Sequence, residues 1–213
     1  YYVMELLPGL SLDQLIRKYR VLPADRAIHF LYQTCAASHE AHSKGLYHRD
    51  IKPANIFATE RGGIHDVVKV LDFGLVRETM TNLGEANITQ TGTFSGSPLY
   101  MCPEQAKSYD KLDARSDIYS LGTVAYHLVT GVPPFVGDSA WDIIVAHSRD
   151  HVERPSKVRD VPADLEQVIM KCLEKKPEDR YQTAEELAGA LAVCETFGNW
   201  TPDRAAKWWA DKM

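Results

Sequence analysis

Four side chains able to do chemistry stand in a fixed order: Asp50, Lys52, Asn55 and, past a short apolar run, Asp72. They lie within His48-Arg49-Asp50-Ile51-Lys52-Pro53-Ala54-Asn55, an H-R-D-x-x-x-x-N pattern, and Asp72-Phe73-Gly74. Transfer of a phosphoryl group from ATP asks for this set, because one carboxylate must meet the substrate hydroxyl while a second carboxylate and an amide hold magnesium on the phosphates. Asp50 is the expected general base, accepting the hydroxyl proton. Lys52 can neutralise charge on the moving phosphoryl group. Asn55 and Asp72 offer the oxygen donors that Mg2+ prefers, and two ions bridging the phosphates would need both. Gly74, without a Cβ, lets the backbone after Asp72 turn freely.

These residues need an apolar scaffold. The 213 residues are 45% hydrophobic, enough for a sizeable core in one or two domains. Twenty-four basic against twenty-nine acidic side chains give a formal charge of -5, without the basic footprint of a nucleic-acid binder. Cys35, Cys102, Cys172 and Cys194 are scattered with no C-x-x-C pair, which argues against a zinc site and a disulfide framework and fits a reducing, cytoplasmic setting. No apolar run is long enough for a membrane span, so no membrane contact is expected of this segment. His39 and His42 share a helical turn but lack a third ligand in register and read as surface or packing residues.

Along the chain, Tyr1 to Leu7 reads as the end of a buried strand, and Pro8-Gly9 turns into a short helix at Leu12 to Tyr19. A helix is expected from Ala24 to Lys44, closed by Gly45. Gly62-Gly63 predict a hairpin connection into the β-rich Val67 to Leu71, which delivers Asp72. Glu78 to Ser97 is Thr/Asn/Gly/Ser-rich and longer than an ordinary connection, the mark of a functional or disordered loop. Asp117 to Thr130 is apolar on nearly every face and should cross the middle of the domain. Further helices are expected near Ser139 to Ser148, Ala163 to Lys175 and Ala184 to Cys194, the last with a Thr183/Glu186 capping box. Thr201 to Met213 should form one more, with Trp208-Trp209 as its apolar anchor.

With these motifs placed, the chain resembles the C-terminal lobe of a eukaryotic-like Ser/Thr protein kinase of the kind found in bacteria. The resemblance implies an α+β kinase-like fold, a mainly helical lobe with short β-hairpins at the catalytic loop, over residues 1–194, and a helical extension at 195–213. The chain opens at Tyr1-Tyr2-Val3-Met4-Glu5 without a glycine-rich phosphate loop or a Val-Ala-x-Lys segment, so the N-terminal lobe is expected to be absent and the chain inactive alone. Met4-Glu5-Leu6-Leu7 resembles the hinge that hydrogen-bonds adenine, giving Glu5 and Leu7 cofactor-binding roles, and Phe57 falls where an apolar side chain lies beneath the base. Cys102-Pro103-Glu104 resembles Ala-Pro-Glu. Asp117 resembles the aspartate that anchors the catalytic loop, and Arg180 the arginine that pairs with Glu104. His48 and Phe73 take structural roles. Ser97 stands where the family has a Thr ahead of the substrate-docking turn, keeping the hydroxyl and losing the methyl, and Cys102 replaces a small Ala or Ser.

The implied activity is transfer of the γ-phosphate of ATP, with Mg2+ or alternatively Mn2+, to Ser/Thr hydroxyls of protein substrates. Lys52 favours Ser/Thr over Tyr. Arg49, beside Asp50, is an uncompensated cation unless an anion meets it, and Thr89, Thr91, Thr93 and Ser95 are the phosphorylation candidates that could supply one. A second kinase copy could do the modifying, through a kinase-kinase dimer. The alternative from another class is a pseudokinase serving as a binding or scaffolding module.

Overall fold

The computed structural model describes residues 5–73, 98–106 and 112–212. Gly74, Ser97 and the four candidate phosphorylation residues lie outside them. Glu5 to Pro8 form no strand, and Leu6 is 92% exposed, against the buried strand expected there. The sheet starts only at Gly9, where β1 (Gly9–Ser11) pairs antiparallel with β2 (Ile56–Arg61), which pairs antiparallel with β3 (Ile64–Val70). Gly62 and Gly63, both at positive φ, make the tight β2–β3 turn that other residues would resist.

Ser11 ends β1 and caps α1 (Leu12–Tyr19): its hydroxyl accepts from Gln14 N while Gln14 Oε1 accepts from Ser11 N. Satisfying two orphan donors fixes where the helix begins. The long α2 (Ala24–Ser43) buries Ala27, Ile28, Phe30, Leu31 and Cys35 along one face. Helix α3 (Ala114–Thr130) is buried on nearly every side, as its apolar composition requires. It starts three residues before Asp117 because Asp113 caps it, accepting from Arg115 N. Helices α4 (Ala140–Arg149), α5 (Pro155–Val158), α6 (Ala163–Cys172) and α7 (Ala184–Ala192) surround it. A Cβ at Gly122 would meet Cys172 Cβ at 2.5 Å, so the absence of a side chain lets α3 and α6 approach.

Two helix ends differ from the sequence reading for local reasons. Helix α6 stops at Cys172 rather than Lys175, because the Glu174 and Lys175 carbonyls turn to accept from Arg180 Nε and Nη2. Thr183 caps α7, accepting from Glu186 N, yet the Glu186 carboxylate accepts from Gln182 N instead of closing the box.

The last helix, α8 (Pro202–Lys212), packs against β3. Beneath it the fully buried Asp66 accepts from Arg26 Nε and Nη2, at 2.8 and 2.9 Å, and from the indole N–H groups of Trp200 and Trp209, at 2.8 and 2.7 Å. The Arg26 guanidinium lies 3.6 Å from the Trp208 ring centre. The indoles complete the hydrogen bonding of the buried carboxylate, while Arg26 Nη1 has no hydrogen-bond partner among the described residues and the guanidinium lies against the Trp208 ring instead. The four cysteines are free and buried, and no helix among the described residues is long and apolar enough to cross a membrane.

Candidate active site

Asp117 organises the loop from His48 to Asn55, the candidate catalytic loop, from the first turn of α3. Its Oδ2 accepts from His48 N and from His42 Nε2, and its Oδ1 from Arg49 N, each at 2.8 Å. Two successive amides held by one carboxylate bring Arg49 to φ 65°, a left-handed conformation that costs a non-glycine residue about 1 kcal/mol or more. His42 therefore belongs to this anchor, a use its helical spacing with His39 did not suggest.

The loop then converges. Lys52 Nζ lies 2.6 Å from Asp50 Oδ2, and Asn55 Nδ2 donates to the Asp50 carbonyl at 2.9 Å. Pro53–Asn55 form one 3-10 turn that leads directly into β2, so the loop is fixed between α3 and the sheet. His48 Nε2 donates to Leu71 O at 2.7 Å, and Leu71 N donates to Asn55 O at 2.8 Å. Those two bonds lock the residue before Asp72 to the loop carrying Asp50. Asp72 is exposed, at φ 61°, and the Phe73 ring sits 4.8 Å from the His48 ring. Phe57 is half-buried on β2, opposite Ser11 and Lys69. Glu5 pairs with Lys69, which lowers its pKa from the ordinary carboxylate value, and Leu7 is half-buried nearby in sequence.

Glu104 and Arg180 form a bidentate pair, with bonds of 2.7 and 2.9 Å and an Arg180 side chain that is 0% exposed. Burial pushes the Glu104 carboxyl up, but hydrogen bonds from Arg180 and Ser116 outweigh it and hold the group below the ordinary range. Arg180 also donates to the carbonyls of Arg115, Glu174 and Lys175. One guanidinium thus joins the segment around Glu104 to α3 and to the residues just after α6.

The sequence model of the protein kinase domain matches residues 1–190. The chain belongs to the protein kinase family. It is 40% identical over 192 residues to the serine/threonine-protein kinase PknB of Mycobacterium leprae, and 41% identical over the same length to PknB of Mycobacterium tuberculosis strain H37Rv. A probable serine/threonine-protein kinase of Clostridium perfringens is also 41% identical. Each match takes in 90% of the chain but 30%, 30% and 27% of those proteins. The Mycobacterium tuberculosis PknI kinase domain superposes with a TM-score of 0.65 at 27% identity, covering 88% of this chain and 63% of that one. Rad53 1-466 in complex with AMP-PNP gives 0.71 at 25% identity, covering 88% and 45%.

Within this kinase lobe, Gln105 was not singled out by the sequence reading. Its Oε1 accepts from Cys102 N and its Nε2 donates to Arg49 O, both at 2.8 Å, so it bridges the Cys102 turn to the loop carrying Asp50. Its place directly after Pro103-Glu104 was the available signal. Asp66 was equally silent: nothing local marks a strand aspartate as the partner of Arg26, forty residues earlier.

Proposed function

We propose that the chain is the catalytic and protein-binding lobe of an ATP-dependent Ser/Thr protein kinase. The observation that carries this reading is the cluster of Asp50, Lys52 and Asn55 within hydrogen-bond reach, tied to Leu71, the residue before Asp72. Asp50 accepts the proton of the substrate hydroxyl, and Lys52, already at its carboxylate, neutralises charge on the transferred group.

The donor chemistry suits magnesium. Asn55 spends its amide nitrogen on Asp50, which leaves Oδ1 without a hydrogen bond among the described residues, and the Asp72 carboxylate is exposed. One or two protein oxygens per ion suffice when phosphates and waters fill the other positions. Bound Mg2+ would supply charge neutralisation on the phosphates. Glu5, Leu7 and Phe57 are assigned to the adenine side, with Mn2+ as an alternative ion.

Regulation rests on Arg49. Its Nε is buried with no hydrogen-bond partner among the described residues, a cost that an anion would relieve. Phosphorylation at Thr89, Thr91, Thr93 or Ser95, by a second copy of the kinase, would provide one. Mass spectrometry of active protein with all four unmodified would sink this part.

The test is phosphate transfer from Mg-ATP to the protein itself and to a generic Ser/Thr substrate, with this chain joined to a nucleotide-binding N-terminal lobe. Transfer lost in Asp50→Asn supports the reading. No transfer from a folded, loop-phosphorylated sample moves it to a pseudokinase.

A further inference from the structure

The turn from Pro98 to Cys102 is fastened from α3, from α4 and from Gln105, whose Oε1 accepts from Cys102 N. Ser120 Oγ donates to the Tyr100 carbonyl at 2.8 Å, and the Tyr100 hydroxyl lies 2.7 Å from His127 Nδ1. The Leu99 carbonyl is held from α4. It accepts from His147 Nε2 of α4 at 3.2 Å, while His147 Nδ1 lies 2.9 Å from the Tyr119 hydroxyl of α3. With Nε2 donating to a carbonyl, Nδ1 must accept from the phenol, so the two bonds specify one neutral tautomer.

The imidazole has little freedom to do anything else. It is 1% exposed, with the Phe135 and Tyr119 rings edge-on at 4.9 and 5.6 Å. Lys175 Nζ donates to its backbone carbonyl at 2.9 Å and lies over Phe135. The Tyr119 ring carries the Arg180 guanidinium 4.8 Å from its centre, and Arg180 holds Glu104. A continuous line of contacts therefore runs from Glu104 through Arg180, Tyr119 and His147 to the Leu99 carbonyl. The two ends of the segment Leu99 to Glu104 are held by the same buried scaffold.

We propose that His147 is a positioning residue for the protein substrate, orienting the Leu99 peptide of a turn that, on the kinase reading, would seat the polypeptide around the acceptor hydroxyl. The inference rests on the kinase reading above and deepens it. A hydrogen bond to a backbone carbonyl fixes the plane of that peptide, and the plane decides which way the Leu99 and Tyr100 groups face an incoming chain. His147 touches neither Asp50 nor Lys52, so its loss should spare phosphoryl transfer and weaken capture of the polypeptide.

The test is steady-state kinetics of the chain joined to its N-terminal lobe, with a peptide substrate and ATP varied separately. His147→Asn, whose shorter amide cannot reach the Leu99 carbonyl, is expected to raise the peptide KM about fivefold, the ordinary worth of one net hydrogen bond. The KM for ATP and kcat stay unchanged. His147→Gln, which places an amide N–H near the Nε2 position, restores the peptide KM. An unchanged peptide KM in His147→Asn overturns the proposal, as does a fall in kcat shared equally by the Asn and Gln variants, the mark of a general packing loss. Should His147→Asn not fold, Tyr119→Phe removes only the hydroxyl that fixes the tautomer, and a peptide KM that stays at the unmodified value then overturns it. If the unmodified protein transfers no phosphate, the kinase reading falls and this inference with it; transfer with unaltered peptide capture removes this inference alone.

Discussion

Arg180 shows how much one side chain can carry. Its guanidinium meets both Glu104 oxygens and three backbone carbonyls while fully buried. Glu104→Gln keeps the shape and removes the charge, leaving a buried cation uncompensated, so unfolding in urea should show a loss of about 3–5 kcal/mol. A loss under about 1 kcal/mol would mean that the carbonyls alone hold the arginine. His147 makes a different prediction. Burial lowers its pKa from 6.5 to about 4, with Lys175 adding to the effect. The unfolded chain therefore binds more protons than the folded one between those values, and stability is full above about pH 6.5 and falls as pH drops toward 4. This residue contributes a slope of at most about 1.4 kcal/mol per pH unit. Melting curves of His147→Gln across that window should be correspondingly flatter than those of the unmodified protein; superimposable slopes would contradict the buried, neutral imidazole.

Among the elements, the contact of α3 with α6 is the most sensitive to volume. Gly122→Ala would put a methyl at 2.5 Å from Cys172 Cβ, with Leu173 side-chain atoms also within 3.3 Å. Cys172 Cβ is fixed to its helix backbone and cannot swing away, whereas the Leu173 side chain can, so overpacking should cost about 1–3 kcal/mol. Gly122→Ala combined with Cys172→Ala does not relieve the clash, because Cβ remains, and a double variant as stable as the unmodified protein would show that the helices slide apart cheaply. The same elements show what local pattern could and could not place. The burial of α3 followed from its composition, whereas its N-terminus was placed three residues late because the capping role of Asp113 was not read. The end of α6 was misplaced, because its last turn is undone by an arginine beyond the helix.

At the scale of the whole molecule, the extension after the kinase lobe is built into the fold rather than appended. Asp66, on β3, is held by Arg26 from α2 and by two indoles from the C-terminal segment. Trp208 stacks edge-on against Tyr19 of α1 at 4.6 Å, so α8 ties α1, α2 and β3 together. Asp66→Ala should cost about 3–5 kcal/mol by stranding Arg26. Trp209→Phe should cost only about 1–3 kcal/mol for one lost N–H to a charged acceptor. Chemical denaturation followed by tryptophan fluorescence reads both, and equal costs for the two changes would argue against the charge pair as the centre of this cluster.

The sequence by itself determined the family and most of the elements. Spacing within the catalytic loop is a local property: five residues from Asp50 to Asn55 can only make one tight turn, and the apolar run before Asp72 can only be a strand. Helix periods, Gly62-Gly63 and the Thr183 cap are equally local, and so survive reading in one dimension. What only the tertiary structure decided are the partnerships across long separations. These are His42 with Asp117, Gln105 with Arg49, His147 with Leu99, and Asp66 with the tryptophans. Each is a polar group buried by packing that then had to find a hydrogen-bonding partner, and burial is a property of the assembled fold, not of the neighbouring residues.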